Sequence, residues 1–217
     1  MILSKKTQNI IMPFKRHKLA ALVSGHGSNL QAIIDSIERK ELDAQLSIVI
    51  SNIKDAPALA RAEKHGIETV FIDPANYSNR KAYDQALIDK LKAVSIDLIC
   101  LAGFMRILGE EFIYSFSGKI INIHPSLLPA FPGLNAQKKA VEYGVKFSGC
   151  TVHFVDAGVD SGPIILQTAV PVYDNDCEES LSKRILKQEH YLYPKAITMI
   201  IENKFNLNGR IVTSNKA

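Results

Sequence analysis

The sequence predicts an α/β protein built on a doubly wound, mostly parallel sheet. Short apolar runs of strand length alternate with longer segments of helical periodicity through the first half of the 217-residue chain. Strands that are apolar on both faces are typical of parallel sheets covered by helices on both sides. In the second half, two longer strand-like runs follow one another, which favours an antiparallel edge in the C-terminal half.

The first half of the chain alternates strands and helices. Apolar runs predict four strands, at 19–25, 45–52, 68–73 and 96–104. Apolar residues spaced three and four apart predict three helices, at 29–42, 57–66 and 80–94. This alternation is expected when each helix crosses a face of the sheet and returns the chain to a parallel strand.

The second half departs from this alternation. A strand at 119–124 and a helix at 136–144 come first. The runs 147–156 and 162–172 predict two longer strands, paired antiparallel at the edge of the sheet. A helical segment at 178–204 follows, and Pro194 predicts an interruption in it because proline lacks the amide hydrogen that an inner helical turn needs.

A basic tail, residues 1–18, precedes a single expected domain from 19 to 217. The tail contains five lysine and arginine residues and no acidic residue, while the whole chain has a net charge of +4. The body is therefore near neutral, which argues against a broad nucleic-acid footprint. No apolar run approaches the roughly 20 residues that span a bilayer, so no membrane partner is expected.

The cysteines favour a cytoplasmic protein with reduced thiols. Cys100, Cys150 and Cys177 are widely spaced and form no CxxC pair. No histidine and cysteine pair has the spacing of zinc ligands, so no metal site is predicted.

The segment SGHGSNL, residues 24–30, joins the first strand to the first helix. Glycines let the backbone approach a ligand, and a helix N-terminus presents free N–H groups, so Gly27, Ser28 and Asn29 are candidates for holding a phosphate. The dinucleotide-binding pattern would need a third glycine where Leu30 stands. A tight turn capped by Ser28 or Asn29 is the alternative.

The segment INIHPSLLPAFPG, residues 121–133, ends an apolar strand on two polar side chains. Asn122 and His124 share one face because side chains two apart on a strand point the same way. Pro125 restricts the backbone of His124. An amide donor beside an imidazole suits an oxyanion and a proton transfer. Asp156 and Asp160, in a glycine-containing loop between two strands, are the candidate carboxylate partners, although a polar strand end and a turn aspartate remain alternatives.

Five motifs, in order, resemble the folate-dependent formyltransferases, and in particular the phosphoribosylglycinamide formyltransferase family. They are SGHGSNLQAIID, LAGFMRIL, NIHPSLLPAFPG, VHFVDAGVDSGPII and QEHYLYP, and they cover roughly residues 19–204. The resemblance implies transfer of the formyl group of 10-formyltetrahydrofolate to the amino group of glycinamide ribonucleotide in purine biosynthesis. It implies no metal, a cytoplasmic enzyme, small-molecule partners, and a monomer or homodimer.

The resemblance also implies roles for individual residues. The catalytic residues would be Asn122, His124 and Asp160, with Asp160 keeping His124 charged. Substrate would be bound by Gly27, Ser28, Asn29, Leu186, Lys187, Gln188 and Glu189. Folate would be bound by Arg80, Met105, Arg106, Ile107, Leu108, Asn122, Asp156, Ala157, Gly158, Val159 and Asp160. Residues 19–118 would form the phosphate-binding half, and 119–217 the folate and catalytic half.

Two positions depart from the family pattern, and other functions remain open. Many relatives have histidine where Asn135 stands, and Asn or Ser where His26 stands. A formyltetrahydrofolate deformylase would use a similar site with water as the acceptor. A transformylase of initiator tRNA would need a further C-terminal domain and a basic face. A non-catalytic nucleotide or folate sensor would bind without turnover.

Overall fold

The computed structural model describes residues 16–215, which build a nine-stranded sheet with helices on both faces. The strands are β1 His17–Val23, β2 Ala44–Ser51, β3 Thr69–Phe71, β4 Leu98–Leu101, β5 Ile120–His124, β6 Phe147–Phe154, β7 Ile164–Pro171, β8 Phe205–Asn208 and β9 Ile211–Ser214. The helices are α1 Ser28–Glu38, α2 Pro57–Lys64, α3 Arg80–Val94, α4 Glu110–Ser115, α5 Ala136–Tyr143 and α6 Glu178–Ile201, with a 3₁₀ turn at Pro74–Asn76.

The strand order is β3-β2-β1-β4-β5-β6-β7-β9-β8. Strands β1 to β5 pair in parallel, and β6 pairs antiparallel with both β5 and β7. This arrangement confirms the predicted doubly wound sheet with an antiparallel C-terminal part. The order reverses at β1 and β4, so the loops that follow these two strands flank a crevice at the carboxyl edge of the parallel strands.

Strand β1 shows how the sheet divides the core into two layers. Leu19, Ala21 and Val23 pack in the layer formed with α1, α2, α5 and α6. Ala20 and Leu22 point the other way, into the layer formed with α3 and α4. All five side chains are fully buried. A strand that is apolar at every position therefore results from burial on both faces, as the sequence indicated.

Several predicted boundaries shift by a few residues. Strand β1 begins at His17, so two residues assigned to the basic tail belong to the sheet, while residues 1–15 of that tail lie outside the described residues. Helix α1 ends at Glu38 rather than 42, and α3 spans the predicted residues. Helix α4 and the strands β8 and β9 were not predicted.

The predicted pair β6–β7 is antiparallel, but its position at the sheet edge is wrong. A hairpin of β8 and β9 lies beyond it, with β9 bridging to β7 at Ile164 and Ile211. The two-residue turn at Gly209 and Arg210 joins these strands, and Gly209 has φ +59°. Glycine adopts this conformation without steric cost, which is the signal that could have revealed the hairpin.

The predicted interruption of the last helix at Pro194 is wrong, because α6 continues through this residue to Ile201. A proline inside a helix costs about 3 kcal/mol. Packing offsets this cost here, since Pro194 and its neighbours Leu192, Tyr193 and Ala196 are all buried. The Tyr193 hydroxyl lies 2.9 Å from the carbonyl oxygen of Leu101 in β4 and 3.2 Å from that of Ile121 in β5.

Candidate active site

The loop between β1 and α1 forms one wall of a cavity at the carboxyl edge of the sheet. The cavity has a volume of about 230 Å³ and is lined by Ser24, Gly25, His26, Gly27, Ser28, Asn29, Ala102, Gly103 and Met105. The predicted phosphate-binding residues therefore lie together at the N-terminus of α1. The backbone N–H groups of the first turn have no partner within the helix, which favours an anion in this position.

Gly27 is required by the packing of this loop. Its φ of +72° lies in the left-handed region, and an added Cβ would lie 2.6 Å from the Cβ of Ala58 in α2. A side chain would therefore be strained and would collide with α2. The alternative of a side-chain cap is not observed, since Gly27 is the N-cap residue and makes no side-chain bond.

Ser24 holds the loops after β1, β2 and β4 together. Its hydroxyl donates to the side-chain oxygen of Asn52 at 2.6 Å and accepts the backbone N–H of Met105 at 2.8 Å. The backbone N–H of Ser24 also donates to the carbonyl oxygen of Gly103 at 3.0 Å. The two walls of the cavity are thus fixed relative to each other by one side chain.

Glu189 lies beside the phosphate loop although it is 160 residues away in sequence from Asn29. The Asn29 side-chain N–H donates to its carboxyl at 2.8 Å. Glu189 is only 6% exposed. Burial raises the pKa of this carboxyl, while the bond from Asn29 opposes the shift. The carbonyl oxygen of the Asn29 side chain is buried and has no partner among the described residues.

The other three predicted residues of this segment share α6 with Glu189 but differ in burial. Lys187 is exposed, while Leu186 and Gln188 are half-buried. None of the three lines the cavity at the phosphate loop. Glu189 is therefore the member of the segment that the structure connects to that cavity through a side-chain hydrogen bond.

Asn122 and His124 project from the same face at the end of β5, as the strand pattern predicted. Asp160, 36 residues beyond His124, completes a cluster with them. Its carboxyl lies 3.2 Å from His124 Nδ1 and 3.3 Å from the Asn122 side-chain nitrogen. His124 Nε2 lies 2.9 Å from the carbonyl oxygen of Phe131. The structure therefore brings the three predicted catalytic residues into contact.

The proline-containing loop after β5 is fixed by polar contacts that position the Phe131 carbonyl. The Ser126 hydroxyl donates to the carbonyl of Ala130 at 2.5 Å. Thr151 in β6 donates to the carbonyl of Ser126 at 2.7 Å and accepts the N–H of Leu128 at 3.1 Å. The imidazole of His124, which is 5% exposed, thus contacts a carbonyl held by a rigid loop.

Asp160 is held in a conformation that non-glycine residues rarely adopt. Its φ is +50°, and the backbone N–H of Gly133 donates to its carboxyl at 2.8 Å. Burial acts to raise the pKa of Asp160, but its contacts with His153, with the Gly133 N–H and with His124 outweigh burial and lower the pKa to about 2. Asp160 is therefore ionised at any pH near neutral.

Two effects act in opposite directions on the charge of His124. Burial lowers the pKa of His124 below its usual 6.5, and it outweighs the Phe131 carbonyl and the Asp160 carboxylate, which act in the opposite direction. The direction of this shift favours a ring that can accept a proton near neutral pH. Because the Phe131 oxygen can only accept, Nε2 carries a hydrogen, and Nδ1 faces the Asp160 carboxylate, which stabilises a hydrogen on that nitrogen when the ring is charged.

His153 is a member of the cluster that the sequence did not single out. It pairs with Asn122 across β5 and β6 and is 2% exposed. Its Nδ1 lies 2.8 Å from the carbonyl oxygen of Phe154, so Nε2 accepts from the Asn122 amide at 3.2 Å in the neutral ring. A buried histidine in an otherwise apolar strand, at the register position opposite Asn122, is the signal that could have found it.

The predicted folate residues after β4 differ in exposure. Met105 and Ile107 are 65% and 66% exposed at the mouth of the crevice. Arg106 is half-buried, with its guanidinium carbon 4.8 Å from the centre of the Tyr83 ring. Leu108 is buried in the core layer formed with α3. The exposed apolar side chains provide a surface for a flat ring.

The remaining predicted folate residues lie in two exposed segments. Arg80 is the exposed first residue of α3, after the N-cap residue Asn79. In the loop before Asp160, the residues Ala157, Gly158 and Val159 are exposed. Asp156 shapes this loop, because its carboxyl accepts the Ser161 hydroxyl at 2.5 Å and the Gly158 N–H at 3.1 Å. Asp156 is therefore engaged within the loop itself.

The two positions that depart from the family pattern lie at the rim of the site. Asn135 is exposed with φ +59° at the N-cap of α5 and makes no side-chain cap bond. His26 is exposed in the phosphate loop, and its carbonyl accepts a bond from Arg61 at 2.8 Å.

Within residues 16–215, no group of three or more histidine, cysteine, aspartate or glutamate side chains is placed to hold a metal ion. In the same part of the chain, no helix is long and apolar enough to cross a membrane.

Comparison with known proteins links this geometry to one family. The formyl transferase family model matches residues 17–197. The chain is 42% identical to a phosphoribosylglycinamide formyltransferase of Bacillus subtilis over 193 residues, which are 89% of this chain and 97% of the relative. The crystal structure of glycinamide ribonucleotide transformylase 1 from Symbiobacterium toebii superposes with a TM-score of 0.91 at 48% identity, covering 93% of this chain and 95% of the other.

Longer relatives contain a matching region. The trifunctional purine biosynthetic protein adenosine-3 of Drosophila melanogaster is 48% identical over 198 residues, which are 90% of this chain but 15% of that protein. The chain thus spans a small fraction of the trifunctional relatives and nearly the whole of the bacterial ones. These matches confirm the resemblance seen in the motifs, and the chain belongs to the formyl transferase family, within its phosphoribosylglycinamide formyltransferase group.

Proposed function

We propose that this protein transfers the formyl group of 10-formyltetrahydrofolate to the amino group of glycinamide ribonucleotide, giving formylglycinamide ribonucleotide and tetrahydrofolate. The observation that carries the proposal is the contact between His124, Asp160 and Asn122 beside a backbone-lined cavity at the carboxyl edge of the sheet. The 42% identity to a bacterial enzyme of that name, over nearly its whole length, supports the same reaction.

The nucleotide would bind at the phosphate loop. Its phosphate would accept the backbone N–H groups at the start of α1 near Gly27, Ser28 and Asn29. Glu189, connected to Asn29 at 2.8 Å, would accept hydroxyl hydrogens of the ribose. A buried carboxylate with a single protein donor has unused acceptor capacity, which ribose hydroxyls can satisfy. Leu186, Lys187 and Gln188 would line the approach to it.

The formyl donor would lie over the exposed surface after β4. Met105 and Ile107 would cover its pterin, and the backbone of Arg106 and Leu108 would border it. Arg80, at the outer end of the crevice, would face the carboxylates of its glutamate tail. The exposed loop from Asp156 to Asp160 would close over the donor, which would exclude water from the reacting carbon.

The reaction begins when the amine attacks the formyl carbon and negative charge develops on the formyl oxygen. The Asn122 side-chain N–H groups, at 3.2 and 3.3 Å from their present acceptors, can turn to this oxygen at small cost. Neutral His124 takes the proton of the amine directly or through a water. The ring then becomes an imidazolium between the Asp160 carboxylate and the Phe131 carbonyl, which stabilise it.

Collapse of the intermediate breaks the bond between the formyl carbon and the folate nitrogen. The same proton moves from His124 to that nitrogen, so the ring returns to its neutral state. Because burial lowers the pKa of His124, kcat/KM is expected to fall as pH is lowered through a value below 6.5. Asp160, with a pKa of about 2, contributes no limb to the profile above pH 4.

The proposed function also implies binding partners, a cellular compartment and separate roles for the two halves of the chain. We expect a cytoplasmic protein that binds small molecules and no nucleic acid, as a monomer or homodimer. The three cysteines are unpaired, with Cys100 and Cys150 buried, which suits a reducing compartment. Residues 19–118 would supply the phosphate site, and 119–217 the catalytic cluster.

One incubation separates this function from its alternatives. Purified protein is mixed with 10-formyltetrahydrofolate, with and without glycinamide ribonucleotide, and the products are identified by mass spectrometry. Formylated nucleotide that appears only with the acceptor present supports the transferase. Formate released without the acceptor would instead indicate a deformylase, and binding without any product would indicate a sensor.

A further inference from the structure

Asp84 is a buried carboxylate that the proposed reaction does not use. It lies in the second turn of α3 and is 3% exposed. Its carboxyl accepts the backbone N–H of Gly109 at 2.8 Å, at the end of the segment that leads from β4 to α4. Among residues 16–215, no cation forms an ion pair with it within 4.0 Å. A buried negative charge without a cationic partner is costly, which raises the question of what this carboxylate does.

Arg80, one turn earlier in α3, also lies close to Gly109. A Cβ built on Gly109 would lie 2.7 Å from the Asp84 carboxyl oxygen, 3.6 Å from Arg80 Nε and 3.7 Å from Arg80 Nη2. The carboxylate and the guanidinium therefore cover one side of Gly109 together. The carboxylate is bonded to the backbone rather than to Arg80, which leaves the guanidinium donors free for an external acceptor.

Arg106 approaches from the other end of the same segment. Its guanidinium lies over the ring of Tyr83, the neighbour of Asp84, at 4.8 Å. Neither Arg80 nor Arg106 has a carboxylate partner within the described part of the chain. Burial raises the pKa of Asp84, while the Gly109 N–H and then the charges of Arg80 and Arg106 act to lower it. The two arginines and the buried carboxylate are thus electrostatically coupled.

We propose that Asp84 is a positioning residue of the formyl-donor site, with two separable effects. Its bond to Gly109 fixes the segment that carries Met105, Arg106 and Ile107. Its negative charge reduces the positive potential of Arg80 and Arg106, and so limits the affinity for a donor with an anionic tail. This inference rests on the proposed function, because it takes that segment and Arg80 to contact the folate.

Two substitutions separate the two effects. Asp84→Asn keeps an oxygen that can accept the Gly109 N–H but removes the charge. Asp84→Ala removes both, and it leaves the N–H of Gly109 buried without an acceptor. If Asp84 acts through charge as well as structure, the two variants change the affinity for an anionic donor in opposite directions. A residue with only a structural role would weaken binding in both variants.

The test measures binding of two probes to the full-length protein by titration calorimetry at pH 8. Tetrahydrofolate carries the anionic glutamate tail, whereas 6-methyltetrahydropterin has the ring without it. We expect Asp84→Asn to bind tetrahydrofolate about two- to fivefold more tightly, as for a partly exposed charge pair, and the pterin unchanged. We expect Asp84→Ala to bind both probes more weakly, by about threefold or more.

Asp89→Asn is the matched control, because it removes an acidic charge from the exposed face of the same helix. Asp89 accepts a bond from Gln85 at 2.8 Å and does not contact the segment after β4. It should leave both affinities unchanged. In steady-state assays, the Asp84 variants should change KM for the formyl donor and leave KM for glycinamide ribonucleotide within about twofold. Asp84 bonds to Gly109 at one end of the segment, whereas the other end, at Met105, stays bonded to Ser24 of the phosphate loop.

Two results would overturn the proposal while leaving the proposed function intact. One is an unchanged or weaker affinity of Asp84→Asn for tetrahydrofolate. The other is an equal gain in affinity for both probes, which would exclude the anionic tail as the cause. A wild-type protein that binds neither probe and forms no product would overturn the proposed function, and this inference with it.

Discussion

The phosphate loop and the catalytic cluster lie at the same edge of the sheet but are built from different parts of the polypeptide. The phosphate loop is continuous in sequence and offers backbone N–H groups around Gly27. The catalytic cluster joins side chains from β5, β6 and the loop before β7. A site made of backbone depends on conformation and close packing. A site made of side chains depends on which segments the fold brings together.

This difference decides which substitutions each site tolerates. The phosphate loop should be sensitive to an added side-chain atom where packing is close, as at Gly27. The catalytic cluster should be sensitive to the loss of one nitrogen or oxygen, even when the shape is retained. The following variants test the comparison, beginning with the largest expected effect.

The largest effect is expected from His124→Ala. The substitution removes the group that takes the proton from the amine, and general acid–base catalysis by one positioned side chain contributes about 10²–10⁴-fold to a rate. We expect kcat to fall by a factor of about 100 or more, with KM for the nucleotide nearly unchanged. Initial rates at saturating donor provide the measurement. His65→Ala, an exposed histidine in the C-cap of α2, is the control and should retain wild-type turnover.

Asp160→Asn should also lower kcat by about two decades, because the imidazolium loses its carboxylate partner. It should in addition change how the free energy of unfolding depends on pH. The pKa of Asp160 is lowered to about 2. Its contribution to stability is therefore fully present above the unfolded pKa near 4 and is lost as pH falls to about 2. We expect the unfolding free energies of the two proteins to differ by about 2 kcal/mol less at pH 2 than at pH 5.

Denaturant titrations at several pH values between 2 and 6 measure this change. Asp156→Asn provides the comparison from the same loop, since its carboxyl bonds to Ser161 and Gly158 of that loop. A difference between wild type and Asp160→Asn that stays constant across the range would contradict the ionised contact between Asp160 and the cluster.

In the phosphate loop, Gly27→Ala should raise KM for glycinamide ribonucleotide by about tenfold and lower stability by about 1–3 kcal/mol. The added methyl group would lie 2.6 Å from the Cβ of Ala58, in a backbone conformation that alanine adopts with strain. Gly25→Ala is the matched variant for stability, because its Cβ would meet no atom within 4 Å. Equal thermal stability of the two variants would show that the close contact with α2 is not limiting.

The smallest effect is expected from His153→Asn. The shorter side chain cannot accept from the Asn122 amide at the present distance of 3.2 Å, so the amide loses one fixed orientation. We expect kcat to fall by about three- to tenfold, with KM for both substrates within twofold. A rise in KM without a change in kcat, or a decrease in kcat as large as that of His124→Ala, would show that His153 does more than orient Asn122.

The same difference between the two sites explains what the sequence could predict. Gly27 and the alternation of Asn122 with His124 are local signals, since each depends on neighbours in the chain. The contacts of Asp160 with Gly133 and of Asn122 with His153 depend on the register of β5 and β6, which no local pattern specifies. Asp160 was found through the family motif, and His153 was missed for this reason.

One interpretation of the site and one of the fold meet the same opposing effect. The charge assigned to His124 followed from its carboxylate neighbour, but burial of the ring outweighs that neighbour, and burial is a property of the whole fold. The interruption expected at Pro194 followed from local helix chemistry, but packing against the sheet keeps α6 continuous. In both cases tertiary structure outweighs a local rule that is otherwise sound.

Because α6 is continuous, it fixes the relative orientation of two side chains that contact different parts of the molecule. Glu189 is bonded to the loop after β1, and Tyr193, four residues later, contacts the carbonyls of β4 and β5. Four residues are about one helical turn, so both side chains point to the sheet from one rigid rod. Inserting a single residue between them would rotate one away from the other by about 100°. A length change within this turn would therefore separate the contact to the phosphate loop from the contact to the sheet.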